Sequence, residues 1–116
     1  MKQNFLDRLG NTVDAICASP RVTGYLIGYS SKGSARFTAY RPHGFQHFVI
    51  LADGLSQKDA LDLEEHLHMR IEADQAALSY QKYREKSRGR HHRSSGGITS
   101  EDGMNHSVYM AWWEEE

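Results

Sequence analysis

Glu64 is a carboxylate set among leucines, in the run Ala60-Leu61-Asp62-Leu63-Glu64-Glu65-His66-Leu67. Taking Ala60 as zero at 100° per residue, Leu67 falls at about −20°, Ile71 at about +20° and Glu64 at about +40°, while Glu65, at about 140°, points outward. A carboxylate turned toward the apolar side needs a cation or hydrogen-bond donors, since burying even a neutral polar group unpaired costs about 2–7 kcal/mol. A bound metal, an arginine or a cleft would each meet that need. A structural ion pair with Arg36 or Arg70 would meet it with no chemistry attached. His68 lies one turn beyond Glu64, so the two offer a two-ligand metal face, the plain alternative being a solvated or capping histidine. Upstream, the apolar run Gly24-Tyr25-Leu26-Ile27-Gly28-Tyr29 is followed by Arg36 and Tyr40, and the question is whether these residues meet Glu64 in one site.

The elements that must position them are legible from periodicity. Phe5, Leu6, Leu9, Val13, Ile16 and Cys17 recur at steps of three and four, which predicts an amphipathic helix over 4–18, stopped at Ser19-Pro20. A strand runs from Val22 to about Tyr29, with Gly24 and Gly28 marking a bulge or a close backbone approach. A short helix is expected over 34–40, a buried strand over 45–52 and a turn at Asp53-Gly54. Ser56 followed by Asp59 resembles a capping box and opens the strongest helix, with Ala60, Leu63, Leu67 and Ile71 as its stripe, running to about Asp74. A further helical piece spans 75–86, a polar, basic loop fills 87–103, and a terminal strand covers 106–113. The expected fold is therefore α/β or α+β, a single domain over 1–116 with a small central sheet flanked by helices.

Composition sets the outer bounds. The chain has 39% hydrophobic and 25% charged residues and a net charge of −1, the balance of an ordinary soluble protein, and no apolar run approaches the ~20 residues of a membrane span. The N-terminal stretch lacks the order of a secretory signal, so a cytoplasmic protein is expected. The lone Cys17 reads as core filler. The near-neutral total conceals a basic run, Lys82, Arg84, Lys86, Arg88, Arg90 and Arg93, with Glu85 as its only acidic company.

The stretch from Leu26 to Glu64 resembles the GIY-YIG nuclease superfamily. Leu26-Ile27-Gly28-Tyr29-Ser30 is similar to the family's second signature strand, in which Tyr-Ile-Gly precedes a polar or basic residue and Thr or Ser. Eight residues past the glycine, where the family carries an arginine, stands Arg36. Four further on, where it often has His or Tyr, stands Tyr40. The strand Phe48 to Leu51 and the helix pattern of Ala60, Leu63, Glu64 and Leu67 match the family's next strand and helix. The resemblance implies that Glu64 binds one divalent ion, Mg²⁺, that Arg36 holds the scissile phosphate and that Tyr40 stands in the phosphate or nucleophile shell. In phosphodiester cleavage the metal and arginine neutralise charge developing on oxygen while a base activates water.

Two departures accompany the resemblance. The family's first strand, Gly-Ile-Tyr, has no counterpart about ten residues upstream, where the amphipathic helix lies, and the tyrosine of the second motif is replaced by Leu26. Tyr25 and Tyr29 flank Leu26 and, on a strand, face away from it. One repair is that the terminal strand, His106 to Trp112, pairs with the Tyr25 strand and presents Tyr109, the alternative being that Tyr109 and Trp112 are sheet packing. The basic run would grip a phosphate backbone, with Tyr80 and Tyr83 available to stack on bases. The leading expectation is a metal-dependent endonuclease acting on DNA. The alternatives are a catalytically inactive nucleic-acid-binding relative, or an interaction module in which the N-terminal helix and Trp112-Trp113 form a homo-oligomer or partner surface.

Overall fold

The computed structural model describes residues 3–31, 38, 42, 44–83 and 105–114. Its elements are α1 (Gln3–Cys17), β1 (Val22–Ser30), β2 (His47–Leu55), α2 (Gln57–Ala73), α3 (Leu78–Gln81) and β3 (His106–Glu114). They form an α+β fold, a three-stranded antiparallel sheet with helices packed on it, as the periodicity predicts. The sheet order is β1-β3-β2, so the last strand in sequence lies at the centre. Both neighbours run antiparallel to it, with Tyr25 opposite Trp112 and Gly28 opposite Tyr109 on one side, and Val49 opposite Met110 on the other.

Alternation along the strands splits the core in two. Tyr25, Ile27 and Tyr29 of β1 and Val108 and Met110 of β3 pack with Val13 and Cys17 of α1 and with Ala60, Leu63, Leu67 and Ile71 of α2. Leu26, Tyr109 and Ala111 join Phe45 on the opposite face. The predicted stripe of α2 is its buried stripe, and Ser56 caps the helix by accepting a hydrogen bond from the Asp59 N–H at 3.1 Å. Glu65 is exposed, as its angle requires, and Glu64 is half-buried. Cys17 is buried among apolar side chains, and that burial pushes its thiol up to about 12, the state of an inert core residue.

Several boundaries differ from the sequence reading. The chain does not turn at Asp53-Gly54; β2 continues to Leu55, with its register against β3 shifting between Ile50 and Ala52 and again between Ala52 and Leu55. Gly54 takes a φ of +68° there, so the glycine supplies an irregularity within a strand rather than a turn. Of the helix expected over 75–86, the described residues to 83 hold only the single turn α3, and 84–86 lie outside the described residues. Asp74 ends α2 by accepting a hydrogen bond from the Ala76 N–H at 3.2 Å, an Asx turn that sends the chain out of helical geometry. The helix expected over 34–40 and the basic loop over 87–103 lie outside the described residues.

The two glycines of β1 have separate causes. Near Gly24 the register against β3 shifts, the bulge that its presence suggests. At Gly28 an added Cβ would lie 2.6 Å from the Tyr109 hydroxyl oxygen and 2.8 Å from Cζ, so the tyrosine ring lies across the bare backbone of its cross-strand partner. Gly28→Val is therefore expected to destabilise the fold by about 1–3 kcal/mol through overpacking. In Tyr109→Ala, which already lacks that ring, adding Gly28→Val should cost much less, giving a coupling measurable in a denaturant double-mutant cycle.

Candidate functional site

The residues singled out by sequence separate into groups with different fates. Glu64 lies on α2 beside the buried stripe, half-buried and engaged in an interaction of its own. Arg70, one of the two arginines considered as its structural partner, is committed elsewhere. Its guanidinium donates to Asp14 Oδ2 at 3.0 Å and to Asn11 Oδ1 at 3.2 Å, tying α2 to α1. Arg36 and Tyr40 lie outside the described residues, as do Arg84, Lys86, Arg88, Arg90 and Arg93.

Tyr25 and Tyr29 face away from Leu26, as strand geometry requires, and both pack on the α2 side. Tyr25 is sealed within the core. Its ring is fully buried and its hydroxyl donates to the Ser79 carbonyl at 2.6 Å. Burial raises its pKa well above the ordinary phenol value, with the neighbouring Cys17 adding to the shift, so the hydroxyl stays protonated. The physical reason is topological: β1 is covered on this edge by residues 82–83, and α3 brings its carbonyl over the ring. Tyr29, at 8% exposure, is the more accessible of the pair and sits at the end of β1 against His106, ring centroids 6.4 Å apart.

The repair strand takes the position suggested for it, but its tyrosine faces the wrong way. β3 pairs with β1 throughout, yet Tyr109 belongs to the face opposite α2, stacked on Phe48 at 5.0 Å and fully buried. Tyr109 is thus sheet packing and does not join Glu64. Trp112 and Trp113 are likewise engaged within the chain, Trp112 stacked on His47 at 5.2 Å and Trp113 edge-on to Phe45 at 5.0 Å.

Lys82, the first cation of the basic run, is engaged within the fold. Its Nζ donates to the Cys17 carbonyl at 2.8 Å and the Ser19 carbonyl at 2.9 Å, two acceptors at the C-terminal end of α1. The ammonium satisfies carbonyls that helical geometry leaves open and complements the negative end of the helix. Lys82→Met, which keeps the stem, is expected to cost about 1–2 kcal/mol. That corresponds to a fall of roughly 5–10 °C in melting temperature, read from a thermal unfolding curve.

His68 and Tyr83 form a contact that sequence reasoning missed. Tyr83 Oη lies 2.7 Å from His68 Nε2, with the ring centroids 5.5 Å apart, and Tyr83 packs its other side on Tyr25 at 5.2 Å. His68 is therefore half-buried with its Nε2 engaged by Tyr83. Tyr83 and Tyr80 are both packed against the core, which withdraws them as free stacking platforms for bases. A histidine one turn after Glu64 is visible in the sequence; a tyrosine fifteen residues further on carries no signal that it reaches back. His106 is also unforeseen: it is 2% exposed on the α2 side of β3, and among the described residues neither of its ring nitrogens has a hydrogen-bond partner.

Among the described residues no group of three His, Cys, Asp or Glu side chains could hold a metal. A site built on one carboxylate still suits Mg²⁺, which keeps several waters and binds through one or two carboxylates plus substrate phosphate. No helix among the described residues is long and apolar enough to cross a membrane. No family model, no curated protein and no solved structure matches this chain.

Proposed function

We propose that this chain is a GIY-YIG-like nuclease domain that hydrolyses phosphodiester bonds in nucleic acid, DNA in the first instance. The observation that carries the reading is the setting of Glu64, a half-buried carboxylate beside the apolar stripe of a capped helix, at the spacing from Gly28 that the resemblance requires. The Leu26-Ile27-Gly28 strand lies in a sheet, with β3 as its antiparallel neighbour. In this reading Glu64 holds one Mg²⁺, which would neutralise charge on the phosphate, while Arg36 contacts the scissile phosphate and Tyr40 its surroundings. Arg84, Lys86, Arg88, Arg90 and Arg93 bind the nucleic-acid backbone, a contribution that weakens steeply as salt rises.

A second reading, an inactive relative that only binds nucleic acid, is favoured by the commitment of Tyr25 to Ser79 and of Tyr109 to the far face. Incubation of plasmid with Mg²⁺ and the parent protein, Glu64→Ala or Arg36→Ala separates the two. Cutting by the parent alone supports the nuclease. Salt-sensitive binding without cutting supports the inactive relative, and equal cutting by all three would discard Glu64 as the metal residue. Absence of binding, with a dimeric mass in solution, would favour an oligomerisation module.

A further inference from the structure

The two edges of the sheet differ. At β1 the chain covers its own edge: the Tyr25 N–H donates to the Lys82 carbonyl at 3.2 Å, and Tyr25 forms a parallel bridge with Tyr83. At β2 no strand pairs with the outer edge among the described residues. The Tyr25 bond also fixes which backbone groups face that edge. Because the Tyr25 N–H points away from β3, Tyr25 and Trp112 are opposed without mutual hydrogen bonds, and Trp112 turns its N–H and C=O to β2, where it meets His47. Two positions on, Met110 does the same with Val49. Ile50, one residue further and opposite Tyr109, therefore turns its N–H and C=O outward.

The side chains along this edge leave apolar surface for a further strand to cover. His47 to Ala52 is an unbroken run of half-buried residues with no proline, lysine or arginine, the residues that commonly blunt a sheet edge. Val49 and Leu51 pack on the α2 face and Ile50 on the other, so a strand about 4.8 Å away would cover apolar surface on both sides. The register shifts between Ile50 and Leu55, with Asp53 and Gly54 exposed, bend the strand and end the pairable stretch near Ala52.

We propose that a second copy of this chain pairs with β2 along this edge, antiparallel and about a two-fold axis at Ile50, joining the two three-stranded sheets edge to edge. Charge selects both the occupant and the orientation. β2 carries one basic residue, His47, and one acidic residue, Asp53, toward opposite ends. Parallel pairing would set Asp53 against its own copy; antiparallel pairing sets it beside His47. The end that receives it holds two basic side chains for one acidic one, since Glu114 is shared between His47 Nε2 at 3.5 Å and Arg21 Nε at 3.6 Å. The incoming carboxylate completes that balance, and the two-fold axis repeats the match at the other end. A pairing this short buries less than the ~800 Å² per partner of a standard interface, so the dimer is weak, with a dissociation constant on the order of 10–100 µM. It stands independently of the nuclease reading.

Sedimentation equilibrium across concentrations from about 1 to about 500 µM tests the pairing, a range that brackets the expected constant. The average mass of the parent should rise over that range from one chain toward two. Ile50→Pro should hold it at one chain while the protein keeps a cooperative thermal transition, because the N–H that proline removes faces the edge and not β3. Asp53→Lys, at an exposed position, should weaken the dimer about tenfold, since it places a cation beside His47 and Arg21 at both ends. Should Ile50→Pro fail to fold, Asp53→Lys carries the comparison. A parent that keeps the mass of one chain at the highest concentration overturns the proposal. So does a dimer whose dissociation constant is the same in the parent and in Asp53→Lys, or one that persists in folded Ile50→Pro, because its interface then lies elsewhere.

Discussion

A chain ending at Asn105 will not fold. Among the described strands β3 alone touches both others, so its removal leaves β1 and β2 with no shared hydrogen-bond ladder. Val108, Tyr109, Met110 and Ala111 are all at zero exposure, and they contribute to the clusters on both faces of the sheet. At about 1.5–3 kcal/mol for each large side chain buried, the first three alone approach the 5–15 kcal/mol by which a whole domain is stable. Far-UV circular dichroism and amide dispersion in a ¹H–¹⁵N spectrum would report the loss. A cooperative thermal transition in the shortened chain would show that the central position of β3 matters less than its packing implies. A milder version is Ala111→Pro, which removes one ladder donor from a central strand and should still cost ~3 kcal/mol or more.

In the proposed nuclease reading, Glu64→Gln should lower Mg²⁺-dependent cleavage by about 10²–10⁴-fold, with little change in melting temperature. The size follows from the several kcal/mol that a metal contributes to neutralising a phosphoryl transition state, at 1.36 kcal/mol for each factor of ten. The amide keeps the volume and hydrogen-bonding capacity of the carboxylate, so the half-buried position is refilled and a fall in rate cannot be assigned to a cavity. Isothermal titration with Mg²⁺ gives a reading independent of turnover: the parent should show binding that the variant lacks. Cleavage by Glu64→Gln at the parent rate would leave its partial burial as no more than a structural accommodation.

How far the sequence reaches depends on the range of the interactions concerned. The α2 stripe of Ala60, Leu63, Leu67 and Ile71, the Ser56 cap and the half-burial of Glu64 all arise from contacts within one or two helical turns, and all are predictable. So is the close approach at Gly28, although not the identity of Tyr109 as the ring that approaches. Composition places Lys82 in a cationic run but does not reveal that its Nζ donates to carbonyls more than sixty positions away. Likewise, nothing near Tyr25 in sequence announces the Ser79 carbonyl, 54 residues on, that accepts its hydrogen bond. Strand alternation puts Tyr25 and Tyr29 together on one face but does not say which of the two is sealed. The pairing of His68 with Tyr83 and the isolation of His106 arise from tertiary packing alone. For the candidate site, Glu64, Arg36 and Tyr40 are singled out by the resemblance, and of these only Glu64 lies among the described residues.

The order of the strands also bears on the chain's synthesis. β1 and β2 leave the ribosome long before the strand that separates them, and the 75 residues from 31 to 105 must be made between Ser30 and His106. At about 5–20 residues per second that interval lasts roughly 4–15 s, far longer than helix formation needs. During it α1 and α2 can form, but the run Val22 to Ser30, nine residues without a charge, lacks the native strand for the edge that β3 fills. Such a segment pairs readily with any other unpaired strand, including its own copy on a neighbouring ribosome. Yield of the native protein should therefore depend on nascent-chain binding factors more than its small size suggests, and slowing translation after residue 60 should increase the aggregated fraction.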